Sequence, residues 1–135
     1  MVYLTRKEHF NAAHKLFNPQ WSEAKNVEVF GVCANKNWHG HNYDLYVTVK
    51  GIPDKTTGMV TNLKELSTII KEVIIKQLDH KNLDLDVEFI KGKMSTTENV
   101  AIAIFNELKP FIKGCTLHSV KLWETERNYA EYIGE

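Results

Sequence analysis

From Val2 to His14 the side chains alternate: even positions run Val, Leu, Arg, Glu, Phe, Ala, His and odd ones Tyr, Thr, Lys, His, Asn, Ala. A period of two predicts a long strand, with Phe10, Ala12 and His14 on one face and His9 on the other. A cleaner alternation starts at His39. Its odd positions read His, His, Tyr, Leu, Val, Val through Val49, against Asn42, Asp44, Tyr46, Thr48 and Lys50. This second strand has an inner face that begins with two histidines and continues as core. Between the strands, residues 18–32 (NPQWSEAKNVEVFGV) hold no sustained period, which predicts a loop with at most a short extended piece.

After Gly51 the turn formers of IPDKTTGM give way to helical spacing. Asn62 is placed as an N-cap with Glu65 three residues on, and Leu63, Leu66, Ile70, Val73 and Ile74 share a stripe that runs out near Leu78. The segment DHKNLDLD is polar and turn-like. Ser95 with Glu98 predicts a second capping box, opening a helix through Val100, Ala101, Ile104, Phe105 and Leu108, which Pro110 and Gly114 end. Residues 116–124 and 129–133 read as two strands joined at TERN. The order strand, strand, helix, helix, strand, strand implies an α+β domain: a four-stranded antiparallel sheet with two helices packed on one face. One domain is expected over residues 1–135, with Tyr3 and Tyr46 on the outer sheet face, a surface suited to solvent or to another subunit.

Composition narrows the partners. Lys plus Arg equals Asp plus Glu at 17 each, so no net field favours a nucleic acid. No apolar run approaches the roughly 20 residues that cross a bilayer, and the first ten residues lack the apolar stretch of a secretory signal. No membrane partner and a cytoplasmic location are therefore expected. In a reducing compartment Cys33 and Cys115 are expected as free thiols.

The chemistry concentrates in CANKNWHGHNY, residues 33–43. On an extended chain His39 and His41 project to one side, about 6.5–7 Å apart, a spacing that suits one metal ion. His14, at the end of the first strand, supplies a third nitrogen if the two strands pair. Three histidines leave one coordination position open, as in a reactive zinc site. Cys33 has three readings: a fourth ligand in a closed site, an inert buried thiol, or a thiolate whose pKa a nearby cation lowers. Asp79 and His80 are neighbours in a polar turn, where a carboxylate can fix an imidazole tautomer. His118 and Glu124 share the alternation of Val120 and Leu122. An inward carboxylate at Glu124 needs a cation or the N–H groups of a ligand as partner.

FNAAH, CANKNWHGHNY, DKTTGMVTNLKEL, LDHKNLD, STTENVA and WETERN, in this order over nearly the whole chain, resemble the 6-pyruvoyl-tetrahydropterin synthase family. The resemblance implies a zinc-dependent lyase that converts 7,8-dihydroneopterin triphosphate to 6-pyruvoyl-tetrahydropterin and triphosphate, in tetrahydrobiopterin biosynthesis. By motif it makes His14, His39 and His41 the zinc ligands, and Cys33, Asp79 and His80 the catalytic acid–base groups. It gives the pterin to Glu124, with Thr96 and Thr97 beside the ring. It further implies a tunnelling fold in which three subunits close one barrel and two trimers stack into a homohexamer, with sites at subunit boundaries. Asn11, Val32 and Trp38 depart from the family's usual serine, basic residue and glycine. Two alternatives stand beside it: a 6-carboxy-tetrahydropterin synthase of the queuosine pathway, and a non-catalytic zinc-containing pterin-binding oligomer.

Overall fold

In the computed structural model, which describes residues 1–135, both alternating segments are strands over the expected residues. Strand β1 spans Val2–His14 and β2 spans His39–Gly51. They pair antiparallel along their whole length, from Val2 opposite Gly51 to His14 opposite His39. A two-residue strand β3, Lys81–Asn82, lies parallel to β1 beside Ala12 and Ala13. β4, Thr116–Thr125, pairs with β2, and β5, Asn128–Tyr132, pairs with β4, both antiparallel. The sheet is thus five-stranded and mixed, in the order β3-β1-β2-β4-β5, not four-stranded and antiparallel. The extra strand arises because the chain turns at His80, which has φ 60°. Backbone bonds from His80 N to Asn11 O (2.6 Å) and Leu83 N to Ala13 O (2.8 Å) then hold the segment against β1. Two residues are too few for any alternation to show.

Three helices complete the chain. The first, α1, Glu23–Phe30, occupies the stretch expected as a loop. Its N-cap Ser22 accepts from Lys25 N at 3.1 Å. The residue it buries is Asn26, whose amide bonds the chain around Asn18 and Ser22, while Val27 and Val29 are exposed. A helix pinned by an amide carries no apolar stripe, so no period revealed it.

The second, α2, starts at Leu63 behind the N-cap Asn62, widens into a π turn over Lys71–Ile75 and resumes over Lys76–Leu78. The third, α3, spans Thr97–Leu108. Its cap is Thr96, which accepts from Asn99 N at 3.2 Å. Ser95, the expected cap, is instead fully buried, with its carbonyl engaged elsewhere.

Both long helices cover one sheet face. Leu66, Ile70, Ile74 and Leu78 of α2, with Val100, Ile104 and Leu108 of α3, meet Phe10, Leu45, Val47, Val49, Val120 and Leu122 in one cluster. Each such side chain contributes about 1.5–3 kcal/mol by leaving water, so a one-residue slip of β2, which would expose its whole inner row, is strongly opposed. Between β2 and β4 the register shifts: Thr48 faces Ser119 but Val49 faces Leu117, leaving His118 unpaired. The bulge turns His118 out of the phase of Val120 and Leu122. Its ring lies edge-on to Tyr3, centroids 4.6 Å apart, on the polar face and not, as expected, the inner one.

Candidate metal and substrate site

His14 and His39 are directly opposed across β1 and β2, and His41 stands one inward position along, opposite Ala12. The pleat therefore sends all three rings to the helix-covered side, at the end of the strand pair. Ring centroids lie 4.6 Å (His14–His39), 5.0 Å (His14–His41) and 4.8 Å (His39–His41) apart. One nitrogen from each lies within 4.8 Å of the others. Two nitrogens on a tetrahedral ion with bonds of about 2.0–2.1 Å are separated by about 3.4 Å, a small rotation of the rings away.

The tutor of this geometry is the backbone of residue 95. His14 Nδ1 donates to the Ser95 carbonyl at 2.7 Å, which leaves its Nε2 as a bare lone pair. That atom, both nitrogens of His39 and Nε2 of His41 are buried without a hydrogen-bond partner. Each such orphan costs about 1–3 kcal/mol, and a cation bound among them satisfies one on every ring. Burial, the largest cause, pushes the pKa of both His39 and His41 below the ordinary 6.5, neighbouring histidines add to it, and Glu124 opposes it. The rings are therefore neutral near pH 7, the form that ligates. The three imidazole donors, one of them oriented by the Ser95 carbonyl, fit a divalent metal ion.

Glu124 enters from β4. Its Oε2 is 3.8 Å from His14 Nε2 and its Oε1 3.7 Å from His41 Nε2. Thr97 Oγ1 donates to Oε2 at 2.7 Å, leaving Oε1 without a protein donor. Thr96 lies beside it in sequence, but its hydroxyl is engaged as the cap of α3. Tyr43, which continues the row of His39 and His41, is fully buried, its hydroxyl has no partner, and its ring lies 5.7 Å from that of His41. Burial first, then the charges of Glu124 and Asp84, raises its pKa, so the phenol keeps its proton. Sequence reading placed Tyr43 in the core and passed over its hydroxyl; its place in the His-x-His-x-Tyr row was the available signal.

The remaining residues are distributed differently. Cys33 lies in the 3-10 turn Gly31–Ala34, partly exposed and reduced. Its carbonyl accepts from Leu16 N at 2.8 Å, two residues past His14, which tethers the turn near the trio. Its sulfur is not among the clustered ligand atoms. Asp79 Oδ1 accepts from Asn11 N at 2.9 Å and lies 3.1 Å from His80 Nδ1. The Asn11 amide, then His80, holds the Asp79 carboxyl below its ordinary range. The pair lines a hollow of about 250 Å³ with His9, Asn11, Asn42 and Asp44, on the polar face of the sheet. Within one chain it does not meet the trio.

A family model described as 6-pyruvoyl tetrahydropterin synthase matches residues 3–135. The chain belongs to the 6-pyruvoyl tetrahydropterin synthase family. It is accordingly an enzyme, with curated relatives named 6-pyruvoyl tetrahydrobiopterin synthase. That of Drosophila melanogaster is 48% identical over 135 residues, covering 99% of this chain and 80% of the relative. The human one is 44% identical over 132 residues, covering 98% and 91%. A solved structure of the Caenorhabditis elegans 6-pyruvoyl tetrahydropterin synthase superimposes with a TM-score of 0.93 at 43% identity, covering 99% of this chain and 96% of that one. No helix is long and apolar enough to cross a membrane.

Proposed function

We propose that this chain is a zinc-dependent lyase that converts 7,8-dihydroneopterin triphosphate to 6-pyruvoyl-tetrahydropterin with release of triphosphate. The observation that carries the reading is the histidine trio, with a Glu124 carboxylate oxygen that has no protein donor next to it. Zinc held by His14, His39 and His41 would polarise the oxygens of the substrate side chain and acidify the neighbouring C–H bonds.

The rest falls to the protein's own side chains. Glu124 accepts the 2-amino and ring N–H hydrogens of the pterin, and Thr97 orients that carboxylate. Cys33 as thiolate removes a side-chain proton. Asp79 and His80 move the second proton, Asp79 holding the imidazole in one tautomer. Loss of triphosphate followed by tautomerisation shifts electrons within the substrate, so no external redox cofactor is required.

Asp79 and His80 open on the polar sheet face, away from the trio of their own chain. This supports an assembly in which they serve a neighbour's trio. The full reading is of single-domain protomers of residues 1–135, three closing a barrel and two trimers forming a hexamer, working in the cytoplasm. The test is to incubate the purified protein with 7,8-dihydroneopterin triphosphate and identify both products by mass. Stoichiometric triphosphate with the pyruvoyl product supports the reading; a carboxy product transfers the chain to the related synthase, and binding without turnover removes the lyase assignment.

A further inference from the structure

Lys15 directly follows His14 and Trp38 directly precedes His39, so the chain leaves the trio through these two residues. With Phe17, Asp84, Lys93 and Met94 they line a cleft of about 620 Å³. Trp38 is held there at φ 64°, a backbone state that a bulky side chain keeps only where its surroundings impose it. The restraint is visible. Trp38 Nε1 donates to Asp84 Oδ2 at 3.0 Å, and the same oxygen accepts from Lys15 N at 3.0 Å.

Asp84 is thus engaged by N–H groups, and the Lys15 ammonium rests on ring faces, 4.8 Å from the centroid of Trp38 and 4.6 Å from that of Phe17. Neither Lys15 nor Lys93 is paired with a carboxylate. Two free cations lining one cleft attract an anion, and a cation pre-positioned on aromatic faces loses little freedom when the anion arrives.

The order of groups along β2 says which anion. Glu124 reaches in near His41 and Tyr43, His39 follows, and Trp38 stands at the exit. From position 43 to 39 the strand covers about 13 Å, enough for a bicyclic ring and a three-carbon side chain, and the cleft lined by Trp38 and Lys15 lies beyond its end, where a triphosphate tail would follow. We propose that this cleft seats the substrate's triphosphate, with Lys15 and Lys93 as its cations and Trp38 as the wall that fixes Lys15. This rests on the assignment of the trio and Glu124 given above. Glycine would adopt φ 64° freely but would leave Lys15 without its platform, which is the reason for retaining a strained tryptophan.

The probe is inorganic triphosphate, titrated calorimetrically into the zinc-loaded protein. Lys15→Gln and Lys93→Gln each weaken its binding about tenfold, and the pair about a hundredfold, as expected for charge-assisted contacts. Trp38→Gly, whose backbone suits the site, weakens it about fivefold, whereas Trp38→Phe stays within about twofold because the ring face remains. KM for the full substrate rises in step, while zinc content and affinity for 7,8-dihydroneopterin without the triphosphate stay at wild-type values. Unchanged triphosphate affinity in the double lysine variant overturns the proposal, as does equal loss of the phosphate-free pterin. If the wild type turns over and the double variant keeps its KM, the cleft assignment falls and the reaction stands. If the wild type shows no turnover but binds triphosphate through the lysines, the reaction assignment falls and the anion site stands.

Discussion

Tyr43→Phe separates the demands of the site from those of the core. The ring of Tyr43 is fully buried and stacks on Phe10 with centroids 4.8 Å apart and planes 14° from parallel. Its hydroxyl has no partner. Removing only that oxygen keeps the stacking and the apolar area, and it relieves a desolvation cost of about 1–3 kcal/mol. Taking the lower half of that range, because the vacated space is no longer filled, the metal-free variant gains about 1 kcal/mol. For a chain of 135 residues, between the usual small and medium size classes, this raises Tm by about 3–5 °C.

The assay is calorimetric unfolding of metal-stripped wild type and variant at one protomer concentration, since the proposed assembly would make Tm concentration-dependent. Tyr43→Leu is the control: losing the ring contacts lowers Tm even though the hydroxyl is gone too. In the zinc-loaded protein the same Tyr43→Phe change lowers kcat/KM about tenfold, or about 1.4 kcal/mol of transition-state stabilisation, because a hydroxyl that is costly in the empty site is retained for a ligand. A fall in Tm of the metal-free variant by 3 °C or more refutes the reasoning, since it means that the hydroxyl has a partner in the folded protein.

Three further outcomes follow from the same geometry. Glu124→Gln keeps zinc at the wild-type ratio but weakens pterin binding about a hundredfold, as expected when a charged acceptor becomes neutral; loss of zinc would instead make Glu124 a ligand. The folded pKa values of His39 and His41 lie below the ordinary 6.5, so the unfolded chain binds protons first as pH falls. Metal-free protein therefore holds this stability above pH 6.5 and loses it progressively below, and an unfolding series from pH 8 to 5 that is flat contradicts it. Mixing inactive Cys33→Ala with inactive His80→Ala, after dissociation and reassembly, restores part of the activity if the two groups meet across subunits; persistent inactivity places both within one chain.

The legible part of the sequence was whatever repeats. Alternation over residues 2–14 and 39–51 placed β1, β2 and the shared face of His14, His39 and His41, because a pleated strand turns period directly into position. Spacing also gave α2 and its Asn62 cap. Local polar bonding escaped it. Asn26 anchors α1 through its side-chain amide, β3 is formed by two backbone bonds, and the bulge at His118 inverts a face by one unpaired residue.

At the site, the ligand trio was legible but its tautomer control was not, since the Ser95 carbonyl belongs to a residue whose side chain suggested a helix cap. The left-handed backbone of Trp38 has no signature in residue type either. It runs against the preference of a bulky side chain.

The proposed chemistry requires that buried His14 and half-buried His39 and His41 form a lone-pair cluster that holds a cation. Its most direct measurement is a zinc titration of chelator-stripped protein, following metal content by mass spectrometry and triphosphate release together. No release without metal and full activity at one zinc per chain are expected, with His14→Gln failing on both counts. Undiminished release from protein without metal would contradict it.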